Sequence, residues 1–143
     1  MIDVKIKLIN EDAKLPEYKT SGAACADVYS PSEVLVPGYS KVIIPLGFQL
    51  EIPEGYEIQV RPRSGLAAKN GITVLNTPGC LDSDFRGEVG VIIINTSNEP
   101  FLVNKGDRIC QFKLSEVPIA NWIIVNKLSD TDRGTGGFGS TGR

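Results

Sequence analysis

The sequence predicts an all-β fold, a sandwich or jelly-roll-like barrel of many short strands with one short helix. Three observations carry this. Apolar residues recur with period two in several short segments, the pattern of strands with one buried face. Glycine and proline supply 24 of the 143 residues, above the usual share of about 12%, and they fall between those segments as turn markers. Only Ser64 to Lys69 (Ser-Gly-Leu-Ala-Ala-Lys) has the composition of a helical turn or two.

Taken in order, Ile2, Val4, Ile6 and Leu8 alternate with Asp3, Lys5 and Lys7 and predict a first strand. Asp27 follows inside an apolar stretch. Phe48, Leu50 and Ile52 alternate with Gln49 and Glu51, and Tyr56, Ile58 and Val60 with Glu57, Gln59 and Arg61. Val36-Pro37-Gly38, Pro53-Glu54-Gly55 and Lys69-Asn70-Gly71 mark turns. Ser64 suits the N-cap of the helical turn. Val89 to Ile94, apolar apart from Gly90, predicts a strand covered on both faces; Arg108 to Leu114 and Trp122 to Val125 predict further strands. No internal repeat or domain boundary interrupts the chain. Residues 1–132 are expected to form one β domain, and 133–143 a glycine-rich tail belonging to it.

Composition excludes several function classes. Fifteen Lys plus Arg face seventeen Asp plus Glu, a net charge of −2, which provides no basic field for a nucleic-acid polymer. There is no histidine. That removes Ser-His-Asp and Cys-His nucleophile pairs, His-liganded zinc and any His general base. Cys25, Cys80 and Cys110 are odd in number and widely spaced, and are expected to be small buried hydrophobes in a reducing compartment. The first residues do not read as a signal peptide, and no apolar run approaches the roughly 18 residues of a membrane helix. The expectation is a soluble cytoplasmic protein without a membrane partner.

Besides the acid Asp27 in Ala26-Asp27-Val28, three segments can carry chemistry. In the tail, Gly134, Gly136 and Gly139 match G-x-G-x-x-G, but that motif needs a following helix, and only four residues remain. What the tail does offer is backbone N–H groups able to converge on an anion, the positive charge of Arg133, and Phe138, a flat ring able to stack on a base. Pro62-Arg63-Ser64-Gly65-Leu66 sits where a strand enters the helical turn, an anion seat or a plain helix cap. Gly79 to Gly87 holds Asp82 and Asp84, which in an extended geometry project to the same side. Without histidine, a carboxylate is the obvious base for activating water.

Together and in this order, these segments resemble the five motifs of the homotrimeric deoxyuridine triphosphatases (dUTPases): Ala24 to Ser30, Pro62 to Leu66, Asn76 to Gly87, Gly106 to Gln111, and Arg133 to Gly142. The resemblance spans nearly the whole chain. It implies a distorted jelly-roll, or β-clip barrel, in a homotrimer whose active sites are each built from three chains. It also implies Mg²⁺-dependent hydrolysis of dUTP to dUMP and pyrophosphate, which limits uracil incorporation into DNA and supplies dUMP for dTMP synthesis. By residue, Asp82 matches the carboxylate that activates the attacking water. Asn76, Gly79, Cys80 and Leu81 match the uracil pocket, Phe85 the ring beneath the deoxyribose, and Phe138 the ring closing over uracil. Arg63, Ser64, Gly65, Gln111, Arg133, Gly136, Gly137 and Ser140 match phosphate contacts, and Asp27 the acid near the metal, acting through water. Two departures stand out: the family usually has tyrosine at Phe85, and Cys25-Ala26 occupies the middle of the first motif.

Two other readings compete. A deoxycytidine triphosphate deaminase shares the fold but typically has a glutamate in the third region, where this chain reads Leu81-Asp82-Ser83-Asp84. A non-catalytic nucleotide sensor would bind dUTP without releasing pyrophosphate.

Overall fold

The structure is a computed structural model describing residues 1–138. Its ten strands are β1 (Lys5–Leu8), β2 (Ala26–Tyr29), β3 (Val34–Val36), β4 (Lys41–Glu51), β5 (Tyr56–Arg61), β6 (Ile72–Val74), β7 (Gly79–Leu81), β8 (Glu88–Asn95), β9 (Phe101–Val103) and β10 (Arg108–Glu116). They form two four-stranded sheets, ordered β1-β4-β8-β6 and β2-β10-β5-β7, and a two-stranded sheet, β3-β9. Every pairing is antiparallel. The arrangement is jelly-roll-like and open rather than a closed barrel. No helix among the described residues is long and apolar enough to cross a membrane.

The alternating side chains meet between the large sheets. Ile44, Leu46, Phe48, Val89, Val91 and Ile93 face Val28, Ile58, Val60, Ile109 and Phe112. Phe48 and Phe112 join the layers edge to face, ring centres 6.3 Å apart, a geometry that aromatic quadrupoles favour. Asn95 is buried but satisfied: its Nδ2 donates to Val36 O and Glu99 O, and its Oδ1 accepts from Ser97 N and Oγ. It fastens a loop.

Several sequence expectations need correction. β8 is not covered on both faces; Val89, Val91 and Ile93 are buried while Ile92 and Ile94 on the other face stay half-exposed. Trp122 to Val125 forms no strand, having no partner among the described residues to supply the ladder. The helix α1 spans Ser64–Asn70, but its cap is Arg63, with extended backbone (φ −95°, ψ 125°) and no side-chain cap bond; Ser64 is already helical. Gly71 closes α1 in the left-handed region at φ 66°, as a helix-terminating glycine does. Of the cysteines, only Cys110 is buried, and burial pushes its thiol well up. Cys25 is half-buried and Cys80 exposed.

Candidate active site

β2, β5 and β10 place a charged cluster at one end of the second sheet. Gln111 on β10 pairs with Asp27 on one side and Arg61 on the other. Asp27 is 5% exposed, and a carboxylate that deep needs counter-charge. Arg108 Nη1 donates to its Oδ2 at 2.8 Å and Gln111 Nε2 to its Oδ1 at 2.9 Å. Arg63 Nε lies 3.5 Å from Oδ1, and Arg63 Nη1 donates to Arg108 O. Burial raises the Asp27 carboxyl, but the bonds from Gln111 and Arg108 and the charge of Arg63 outweigh it, leaving the group below the ordinary carboxylate value. Two arginines thus face one carboxylate, a net positive seat suited to an anion. Beside it a cavity of about 260 Å³ is lined by Arg63, Leu66, Gly106 and Asp107 among others. Ser64 and Gly65 occupy the exposed first turn of α1, where amide groups lack partners within the helix.

The β6–β7 connection, which crosses from the first large sheet to the second, builds a second element. Gly79 pairs with Val60 on β5, and the Asn76 side chain lies over Gly79. A Cβ there would come 3.2 Å from Asn76 Nδ2 and 3.3 Å from Val60 Cβ, so only glycine leaves this backbone open to a flat ligand. A small cavity of about 40 Å³ is lined by Asn76, Gly79, Cys80 and Leu81 with Val60 and Val74. The Thr77-Pro78 peptide at the tip of this connection is cis. Between this tip and Gln111 runs an open groove of about 490 Å³, also bordered by Cys25, Arg61 and Pro62.

Beyond β7 the chain does not stay extended. Phe85 N donates to Asp82 O at 3.2 Å, closing a tight turn, so the extended placing of Asp82 and Asp84 on one side does not hold. Asp82 is exposed, and Phe85, 42% exposed, packs its ring back over Gly87. Next to the turn, the Cys80 thiol is pushed above its ordinary value, first by hydrogen bonding to Glu57, then by burial and the charges of Glu57 and Asp82.

The two elements share the open groove, but Asp82 and Arg63 do not meet within one chain. Leu81 pairs with Ile58, so Asp82 lies level with Glu57, whereas Arg63 lies beyond the other end of β5. Six positions of extended chain separate the levels, about 20 Å.

After Val117, whose N–H bonds Gly55 O, the hydrogen bonds of residues 118–138 are all local. Arg133 Nε donates to Gly136 O at 2.8 Å, and Gly136 N to Arg133 O. The structure therefore has Arg133 and Phe138 exposed and Gly136 and Gly137 half-buried in a segment not hydrogen-bonded to either element; Ser140 and Gly139 lie outside the described residues. Arg108 belongs to the charged cluster on Asp27, and the sequence reading did not single it out. The signal was available: an acid inside an apolar strand requires a cation on the strand beside it.

Both oxygens of Asp27 already accept bonds, and no cluster of three metal-ligating side chains exists among the described residues. The donor set fits a divalent cation only through water and the oxygens of a bound phosphate chain.

A family model described as dUTPase matches residues 11–142. A protein of Nautilia profundicola named deoxyuridine 5'-triphosphate nucleotidohydrolase is 51% identical over 140 residues, covering 98% of this chain and 99% of its own. One of that name from Bdellovibrio bacteriovorus is 54% identical over 144 residues, covering 98% and 96%. Among solved structures, the dUTPase of Staphylococcus bacteriophage 80alpha with dUPNHPP superposes with a TM-score of 0.90 at 24% identity, covering 99% of both chains. A D95N dUTPase of phage phi11 of S. aureus, described with a structural Mg(II) ion, gives 0.80 at 21% identity, covering 87% of this chain and 97% of that one.

Proposed function

The chain belongs to the dUTPase family, and from that membership we propose that it hydrolyses dUTP to dUMP and pyrophosphate by attack of an Asp82-activated water on the α-phosphorus. One observation carries the mechanism. In a protein without histidine, an exposed carboxylate on a closed turn adjoins β7 and its open backbone, while a separate arginine pair offers a seat for phosphates. Asp82 takes the proton of the water as it attacks, and pyrophosphate leaves from the opposite side of the phosphorus.

Asn76, Gly79, Cys80 and Leu81 hold the uracil edge through backbone groups, and the crowding at Gly79 rejects a bulkier base. Phe85 lies beneath the deoxyribose. Arg63, Ser64, Gly65 and Gln111 bind phosphates. The tail closes over the nucleotide, with Phe138 on the base and Arg133, Gly136, Gly137 and Ser140 on the phosphates, and excludes water. Mg²⁺ arriving with the triphosphate would offset phosphate charge, held by phosphate oxygens and by water that Asp27 orients. A cytoplasmic location is part of this reading, since the substrate belongs to the intracellular nucleotide pool.

The assembly is a homotrimer with shared sites. A base must stand within about 3 Å of its water, and the phosphate ligands must touch the same phosphorus. The separation of about 20 Å along β5 forbids that within one chain, so Asp82 of one copy serves a substrate whose phosphates lie on the Arg63–Arg108 cluster of another. Trp122 at 90% and Ile124 at 100% exposure support association, as such apolar surface calls for a cover. The apolar groove of about 310 Å³ lined by Ile2, Val4, Leu15, Tyr18, Phe112 and Leu114 is suited to receive them from a second copy.

Side-by-side assays of dUTP, dCTP, UTP and dTTP with Mg²⁺ test the activity. Pyrophosphate release from dUTP alone is expected. Ammonia release from dCTP would identify a deaminase instead, and binding of a dUTP analogue without pyrophosphate release a sensor.

A further inference from the structure

Arg86 directly follows the turn that carries Asp82 and Phe85, and its guanidinium folds back onto that turn. Nη1 donates to Ser83 O at 2.7 Å and to Phe85 O at 3.0 Å. Among the described residues Arg86 forms no ion pair; the nearby Glu51 carboxylate is held at 2.6 Å by Lys5. An exposed arginine ordinarily spends its charge in solvent or on a carboxylate. This one spends it on two backbone oxygens of one turn.

The turn itself has little else to hold it. Its closing bond is the 3.2 Å contact of Phe85 N with Asp82 O, and Asp82, Asp84 and Phe85 are all exposed. On the far side, the Phe85 ring covers Gly87, where a Cβ would meet ring carbons at 2.7 and 2.9 Å. Glu88, next along, receives Gly47 N at 3.1 Å and so ties the start of β8 to β4. The turn is thus clamped from within by Arg86 and seated on the sandwich by Gly87 and Glu88.

We propose that Arg86 is a positioning residue for the proposed reaction: by bridging Ser83 O and Phe85 O it fixes the direction of the Asp82 carboxylate and the tilt of the Phe85 ring. The inference rests on the reading of Asp82 as the base and Phe85 as the platform under the sugar. Its consequence is that one guanidinium sets both turnover and preference for deoxyribose, because both groups ride on the same turn. Small misplacements of a base are costly in rate although they leave binding intact.

The test compares full-length wild type, Arg86→Gln and Arg86→Lys with dUTP and UTP, alongside thermal melting. Arg86→Gln is expected to lower kcat for dUTP about 10- to 100-fold with KM within about threefold. The kcat/KM of UTP relative to dUTP should rise. Melting should shift by no more than about 3 °C, as for an exposed side chain. Arg86→Lys, which keeps a donor able to reach one carbonyl, should recover part of both losses. Unchanged kcat and sugar preference in Arg86→Gln would overturn the inference. So would losses in both variants that track a melting drop of about 10 °C or more, since Arg86 would then hold the fold. Asp82→Asn, run in parallel, separates the two failures: normal turnover in that variant removes the proposed base, whereas an inactive Asp82→Asn beside an unimpaired Arg86→Gln removes only the clamp.

Discussion

Arg108 Nη1 donates to Asp27 Oδ2 at 2.8 Å, joining residues 81 positions apart on neighbouring strands. This contact makes Asp27 a structural counter-charge as well as a site residue. Replacing it with asparagine leaves Arg63 and Arg108 facing each other uncompensated. Asp27→Asn is expected to cost roughly 1–3 kcal/mol near neutral pH, the range between exposed and buried pairs. Because the folded pKa lies below the unfolded one, the stability from Asp27 is complete above the unfolded pKa of about 3.9 and is lost as pH falls through the folded value. Urea denaturation of both proteins should therefore show their difference narrowing below about pH 4. A difference that holds constant into stronger acid would deny Asp27 this role.

Asp82 is exposed and contributes no core. Asp82→Asn should fold, melt and bind a nonhydrolysable dUTP analogue as wild type does, yet lose about 10²- to 10⁴-fold in kcat, the span of general-base catalysis. Stopped-assay kinetics beside calorimetry of analogue binding will measure this. Loss of binding in step with kcat would move Asp82 from base to ligand.

Gly79→Ala introduces a methyl 3.2 Å from Asn76 Nδ2 and 3.3 Å from Val60 Cβ. Asn76 or Val60 must then shift, and KM for dUTP should rise about tenfold or more while the melting temperature falls by only a few degrees. Unaltered KM would place the base elsewhere.

Removing residues 133–143 should lower kcat/KM at least about tenfold without a measurable change in melting, because residues 118–138 form only local hydrogen bonds. Trp122→Ser combined with Ile124→Ser should behave differently, converting trimer to monomer in sedimentation and abolishing activity at low protein concentration. A stable trimer from that double variant would show that the apolar segment serves another purpose.

The longer strands were legible where one face stays in a core within the same chain: β5, the end of β4 from Phe48 and β10 from Cys110 to Lys113 display the period of two. The runs Leu46–Phe48 and Ile109–Cys110, beside register shifts, break it. β3, β6, β7 and β9 have three residues each, too few for any period to register. Residues 122–125 carry the composition of a strand, but composition does not name a partner, and none is available among the described residues. At the candidate site, Gly79 and Asp82 were singled out from motif order. The turn at Asp82 was not, since its closure depends on the backbone N–H of Phe85 and on Arg86 folding back, contacts without a sequence period. Arg108 was hidden for a similar reason: in a strand pattern an arginine reads as one more outward polar residue.

With the sites shared between copies as proposed, the placing of Asp82 and Arg63 at opposite ends of β5 has a genetic consequence. A chain damaged only at Asp82 would still bring an intact Arg63–Arg108 cluster, and a chain damaged only at Arg63 would still bring an intact Asp82. Unfolded and refolded as a mixture, two dead preparations would pair good halves across subunits and regain turnover that neither has alone. A cell inheriting both faulty alleles would be rescued by complementation between them, whereas a cell with either allele alone would not.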